Sequence, residues 1–182
     1  MNKKQLSFAV TQTFVLGFLF VAIMSFTSCG LFSDLDRKRE TPNAYAIQNV
    51  GTGKSIRVHN ASIDDRSKIV LYSHRYWLCI TWQFFQLEGD VYLLKNLFTH
   101  KTFQPRSTPE AGVTLWQQPL GGTSLQYWEF IEQSNEIYLI RLKDTDLYIT
   151  TTSDKNDSDL ILMPLQNSAS QEWKKIRQSP VM

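Results

Sequence analysis

Gln126-Tyr127-Trp128 and Gln171-Glu172-Trp173 share a Gln-x-Trp pattern, and Ile80-Thr81-Trp82 stands one interval earlier without the Gln. Reading outward from these tryptophans, the chain repeats itself. Tyr45-Ala46-Ile47, Tyr92-Leu93-Leu94 and Tyr138-Leu139-Ile140 open three similar stretches, 47 and 46 residues apart. Seven residues beyond each Tyr comes a threonine, at Thr52, Thr99 and Thr145. Lys54, Lys101 and Leu147 follow at the ninth offset, and Ile56, Phe103 and Ile149 at the eleventh. Asn49 and Asn96 share the fourth offset, where the third copy has Leu142.

Each copy then crosses a polar stretch to a second short apolar run: Ile69-Val70-Leu71-Tyr72, Val113-Thr114-Leu115-Trp116 and Leu160-Ile161-Leu162-Met163. Short runs rich in β-branched and aromatic residues, separated by polar turns, predict strands. No segment sustains a helical period over ten residues. Three copies of about 45 residues are too few for a propeller, which uses at least about four blades. They suit a closed threefold barrel, because each copy's apolar face is buried only against the other two. The expected class is all-β, a single domain over residues 45–178.

This threefold Gln-x-Trp unit resembles the ricin B-type, or R-type lectin, β-trefoil from Tyr45 to Gln178. The resemblance implies a β-trefoil with pseudo-threefold symmetry and a carbohydrate partner. It also implies structural roles for Trp82, Trp128 and Trp173 in the shared core, and for Gln126 and Gln171 in tying backbone. In that family an aromatic ring stacks on the apolar face of a pyranose. A short acid takes hydrogen bonds from adjacent hydroxyls, and an Asn supplies another bond. Carried over position by position, the aromatic falls on Tyr72, Trp116 and Met163. The acid falls on Arg57, Gln104 and Thr150, and the Asn on Cys79, Leu125 and Ser170. No copy keeps the acid or the Asn.

The second copy is therefore the leading candidate site, with Trp116 as platform and Gln104, Gln117 and Gln118 as neutral hydrogen-bonders. Tyr72 with Arg57, Asn60 and His74 comes next, and the third copy, with Met163, is expected to be silent. Trp116 has a plainer reading, in which it packs on Phe103 or a neighbouring loop. The alternative use of the fold is as a protein-interaction or delivery-subunit module with no sugar binding. One exposed apolar patch joining Trp116 to Tyr76 and Trp77 favours that alternative; a separate polar-walled pocket at Trp116 favours a ligand site.

The first forty residues are of another kind. Lys3 and Lys4 precede eleven apolar residues, Phe14 to Met24. As a helix that run covers only ~16 Å, the length of a signal-peptide core and half of a membrane span. Phe26-Thr27-Ser28-Cys29 resembles the end of a bacterial lipoprotein signal, with Phe26 in place of the usual leucine. The resemblance implies cleavage after residue 28, acylation of Cys29 and membrane association through that lipid. Residues 29–44 then form the lipidated N-terminus and a polar tether. Gly30, not Asp, follows the cysteine, which by the same resemblance favours the outer membrane. With Cys29 acylated, Cys79 has no partner for a disulfide, and between Leu78 and Ile80 it reads as a small buried hydrophobe.

Composition sets the remaining bounds. Hydrophobic residues at 42% and charged residues at 20% permit a buried core and exclude wholesale disorder. Lys and Arg number 19 against 17 Asp and Glu. Removing Lys3 and Lys4 balances them, so non-specific nucleic-acid binding is not expected. His59, His74 and His100 have no metal-ligand spacing, and no nucleophile elbow or phosphate loop occurs. No cofactor, metal site or enzymatic activity is expected. Asp64-Asp65-Arg66 and the loop Ser153 to Asp159 read as solvated turns, and Lys174, Lys175 and Arg177 as a solvated face.

Overall fold

The computed structural model describes residues 41–180; the expected signal segment, Cys29 and the tether through residue 40 lie outside them. Each copy contributes four strands. The first holds β1 (Ala44–Asn49), β2 (Lys54–Val58), β3 (Ile69–Ser73) and β4 (Thr81–Glu88). The second holds β5 (Val91–Asn96), β6 (Thr102–Pro105), β7 (Leu115–Gln118) and β8 (Tyr127–Ser134). The third holds β9 (Ile137–Leu142), β10 (Tyr148–Thr151), β11 (Ser158–Met163) and β12 (Trp173–Arg177).

The outer strands of the copies close a ring of antiparallel pairs: β1–β4, β4–β5, β5–β8, β8–β9, β9–β12 and β12–β1. A closed six-stranded barrel leaves no open edge. The inner strands form three hairpins, β2–β3, β6–β7 and β10–β11. These meet in a triangle, through β3–β11 pairing and the single bridges Lys68–Trp116 and Thr114–Ile161. This is a β-trefoil, with each sequence repeat as one leaf. Barrel and triangle close within Ala44–Gln178, where the Gln178 N–H donates to the Ala44 carbonyl.

The repeated residues have local causes. Trp82, Trp128 and Trp173 are fully buried, together with Ile56, Phe103 and Ile149 from the first strand of each hairpin. The repeated threonines build the same turn three times: each hydroxyl accepts the N–H two residues on, Lys54 to Thr52, Lys101 to Thr99 and Leu147 to Thr145. Asn49 and Asn96 donate across the barrel seam, Asn49 to the Ala169 and Glu172 carbonyls, and Asn96 to Cys79 and Thr81. A single 3-10 turn precedes each tryptophan strand, at Leu78–Ile80, Ser124–Gln126 and Ala169–Gln171. A lone turn is too short to leave a helical period in the sequence. Cys79 is buried as expected, and that burial raises its thiol pKa.

Lys175 departs from expectation. The residue two beyond each tryptophan is Phe84, Phe130 or Lys175, and these interleave with the repeat tyrosines around one end of the barrel. Tyr45–Phe84, Phe84–Tyr92, Tyr92–Phe130 and Phe130–Tyr138 are edge-on aromatic contacts with centroids 5.4 to 6.1 Å apart. Lys175 completes the circuit, its ammonium 4.1 Å from the Tyr138 ring centre and 5.9 Å from that of Phe130. It is part of an aromatic ring and not of a solvated face, whereas Lys174 is exposed as expected. A cation on such a ring contributes about 1 kcal/mol. Lys175→Gln is therefore expected to lower the thermal midpoint by roughly 3–5 °C for a domain of this size. Lys174→Gln is expected to leave it within about 1 °C; calorimetry of the two variants checks both.

Candidate functional site

Alternation along β7 sets the geometry of the leading candidate. Trp116 and Gln118 share one side of the strand and Gln117 points to the other. Gln117 is fully buried, and its amide nitrogen donates to the carbonyls of Ser62 (3.1 Å) and Asp64 (2.7 Å). Its backbone holds the same loop, accepting from Arg66 N–H and donating to the Ser67 carbonyl. Gln117 thus ties the 62–67 loop onto β7, and both amide protons are engaged within the protein. Gln104 lies opposite Trp116 in the β6–β7 register, and its side-chain oxygen accepts from Gln126 at 3.0 Å. Gln118 is half-buried beside the turn to Pro119.

Trp116 is also half-buried and lines a cavity of about 390 Å³ with Arg66, Lys68, Arg106, Thr114 and Leu115. The guanidinium of Arg66 stands 5.6 Å from the ring centre. The indole N–H is buried without an acceptor, so packing alone fixes the ring. Tyr76 and Trp77 take no part in this cavity. Trp77 belongs instead to an apolar groove of about 440 Å³ with Ala61, Leu78, Cys79 and Phe98. Of the two arrangements considered for Trp116, the structure has the separate pocket with polar walls.

The first copy brings Arg57, Tyr72 and His74 together on the face of β2 and β3, with Asn60 apart and exposed in the turn after β2. The face is closed by its own side chains. Arg57 is buried, with its guanidinium carbon 3.7 Å from the centre of the Tyr72 ring and a nitrogen 3.5 Å from Asp157. Trp77 lies on the Tyr72 ring as well, at 6.3 Å and a 32° tilt. Asp157 comes from the Ser153–Asp159 loop, where Asp159 pairs with Lys68 and Asn156 accepts from Ser73. Residues 152–157 of that oxygen-rich loop are exposed, as expected of a solvated turn, and Asn156 and Asp157 add cross-leaf contacts.

In the third copy the position matching Gln104 is Thr150, 4% exposed, whose hydroxyl accepts from Gln171 at 2.9 Å. In both copies that keep Gln-x-Trp, the Gln therefore donates to the side chain at the family's acid position. Its other contacts tie backbone: Gln126 accepts from Gly121 and Gly122 and donates to Pro119, and Gln171 accepts from Gln166 and donates to Pro164.

Sequence reasoning did not single out Arg66, Lys68 or Arg106 as site residues. They come from the 62–67 loop, the edge of β3 and the end of β6, and only the triangle of hairpins assembles them around Trp116. The available signal was a basic residue in each of two loops flanking β6 and β3, which is unremarkable without the topology.

No protein-family model and no curated protein matches the sequence. Solved structures do. The designed threefold-symmetric protein ThreeFoil superposes with a TM-score of 0.70 at 19% identity, over 74% of this chain and 98% of its own. The Rhizoctonia solani agglutinin gives 0.67 at 15%, over 75% and 95%. The Macrolepiota procera ricin B-like lectin, solved in complex with lactose, gives 0.62 at 17%, over 74% and 94%. At such identities the likeness establishes the β-trefoil fold.

One titration follows from the first-copy geometry. The His74 ring accepts or donates at Ser55 Oγ, 2.9 Å away, and sits edge-on to Tyr76. Burial, then the charge of Arg75, lowers its pKa from 6.5. As pH falls below about 6.5 the unfolded chain binds that proton before the native one does, so stability declines until the native imidazole titrates. Urea midpoints measured at pH 7.5 and 5.5 should fall more for the wild type than for His74→Gln.

Proposed function

We propose that this chain is a lipid-anchored bacterial envelope protein whose β-trefoil binds carbohydrate without catalysis. The observation carrying this reading is Trp116, a part-exposed aromatic wall of a polar-sided pocket at the stacking position of a lectin-like fold. The lactose complex of a structural neighbour supports it. The apolar face of a pyranose would lie on the indole, with hydrogen bonds from the surrounding polar side chains fixing its orientation. One such site binds at around millimolar, and display of many copies on a membrane supplies avidity. The anchor is the acylated Cys29, in the outer membrane given Gly30. Three acyl chains hold a protein far more firmly than the single chain that gives only marginal binding.

A glycan array probed with multivalent Asp36–Met182 tests the binding. The wild type should retain a subset of glycans, and Trp116→Ala should lose them at least about tenfold while keeping its thermal midpoint within a few degrees. Binding that survives the substitution moves the site elsewhere, with Tyr72 next. The anchor is tested separately: Cys29→Ala should shift the full chain from the detergent phase to the aqueous phase in Triton X-114 partitioning.

A second reading rests on the apolar groove of Trp77, Leu78 and Phe98, with Tyr76 exposed nearby. It suits a protein partner, and it leads if the folded domain retains no glycan.

A further inference from the structure

The side chains around Trp116 are almost all hydrogen-bond donors. Arg66, Lys68 and Arg106 line the cavity, no carboxylate does, and the hydroxyl of Thr114 is the one side-chain acceptor among the lining residues. Lys68 shares its charge with Asp159 at 3.1 Å. Among the described residues, no ion pair or side-chain hydrogen bond engages Arg66 or Arg106; Arg66 has only its approach to the Trp116 ring. Gln104, across the β6–β7 register from Trp116, has its amide oxygen engaged by Gln126.

The cavity lined by Glu88, Glu129, Arg141, Lys143 and Asp144 provides a contrast. It is larger, at about 560 Å³, and it also contains two cations, Arg141 and Lys143. There each cation is matched: Arg141 donates to Glu129 at 2.8 Å, and Lys143 lies 3.3 Å from both Glu88 and Asp144. At that cavity both cations are paired with acids, whereas among the described residues Arg66 and Arg106 at Trp116 are paired with none.

The pocket is also held in place by construction. Arg66 adopts a left-handed φ of 65°, a conformation unfavourable to an L-residue. It is kept there by its N–H bond to the Gln117 carbonyl (2.8 Å) and by the grip of the Gln117 amide on the loop. Lys68 is set against Trp116 by the bridge between their backbones.

We infer that this pocket takes an acidic saccharide, a pyranose bearing a carboxylate or sulfate, in which the ring stacks on Trp116 and the anion is received by Arg66 and Arg106. The inference rests on the carbohydrate reading and sharpens it. A neutral-sugar pocket of the resembled kind places an acid where it accepts from ring hydroxyls. Here the polarity is reversed: the protein supplies positive donors, so the ligand must bring the negative acceptor. Guanidinium groups suit the planar, two-oxygen geometry of a carboxylate and the spread oxygens of a sulfate. Part of the affinity is then ionic and is screened by salt.

Titration calorimetry of the Asp36–Met182 domain with 3′-sulfolactose, sialyllactose and lactose tests this, at 50 and 300 mM NaCl. At low salt at least one acidic ligand should bind about tenfold more tightly than lactose, the advantage of roughly one charge-assisted hydrogen bond. High salt should shrink that margin. Arg66→Gln with Arg106→Gln should remove it, and Trp116→Ala should weaken all saccharides. Lys143→Gln, a charge control outside the pocket, should keep the margin. Equal affinity for lactose and both acidic ligands, or a margin untouched by the arginine substitutions, overturns the inference and leaves the carbohydrate reading standing. No saccharide bound by the folded wild type overturns both. Competition by inorganic sulfate at the same concentration as sulfolactose, with no effect of Trp116→Ala, overturns the inference in favour of a bare anion site.

Discussion

The fold depends on apolar burial that no single repeat achieves alone. Trp82, Trp128 and Trp173 reach zero exposure because each packs in a core shared with the first hairpin strands of the leaves. Phe103 shows the sharing directly, with its ring 5.0 Å from both Trp82 of the first leaf and Trp128 of its own. Burial of such side chains is worth about 25 cal/mol per Å² removed from water, and large aromatics contribute most. Deleting one leaf would open both the barrel and the core of the remaining two. The threefold repetition in sequence is thus the signature of a shared interior.

Symmetry in the core permits asymmetry on the rim. Trp82 and Trp173 donate their indole N–H to the carbonyls of Ile56 and Ile149, at 3.2 and 3.1 Å. Trp128 finds no such acceptor. The equivalent neighbour in the second leaf is Phe103, whose larger ring replaces isoleucine and lies against Trp128. The same leaf carries Trp116 where the others carry Tyr72 and Met163. Each copy has resolved its stacking position differently: Tyr72 is covered by Arg57, Met163 has no ring, and Trp116 lines a cavity. With the interior closed by three leaves, a single leaf is free to vary at its outer end without loss of the barrel.

The barrel was legible because its requirements recur at fixed spacing. Tyr, Thr and Trp each perform the same local task three times, and repetition separates that signal from composition. The positions missed are those where symmetry fails. Lys175 reads as a solvated lysine beside Lys174, and its place in the aromatic circuit follows only from aligning it with Phe84 and Phe130. Gln117 reads as a polar neighbour of Trp116, yet strand alternation turns it inward to fasten the 62–67 loop. Arg66 reads with its acidic neighbours as a solvated turn, and it is exposed as such a turn requires. Its relation to Trp116 is created by a contact between leaves some fifty residues apart, which local pattern does not encode.

Net charge is a poor guide to such a site. Balanced totals of acidic and basic residues exclude a surface that attracts polyanions over long range, since exposed charges are screened beyond about 8–10 Å in physiological salt. They say nothing about how the charges are paired. In this trefoil Glu129 and Glu88 engage Arg141 and Lys143, and Asp157 and Asp159 engage Arg57 and Lys68. An acid engaged by one cation is less available to another. Local imbalance at Trp116 therefore coexists with overall neutrality. Selectivity at such a pocket comes from unmatched charges placed beside a ring that only a shaped ligand covers.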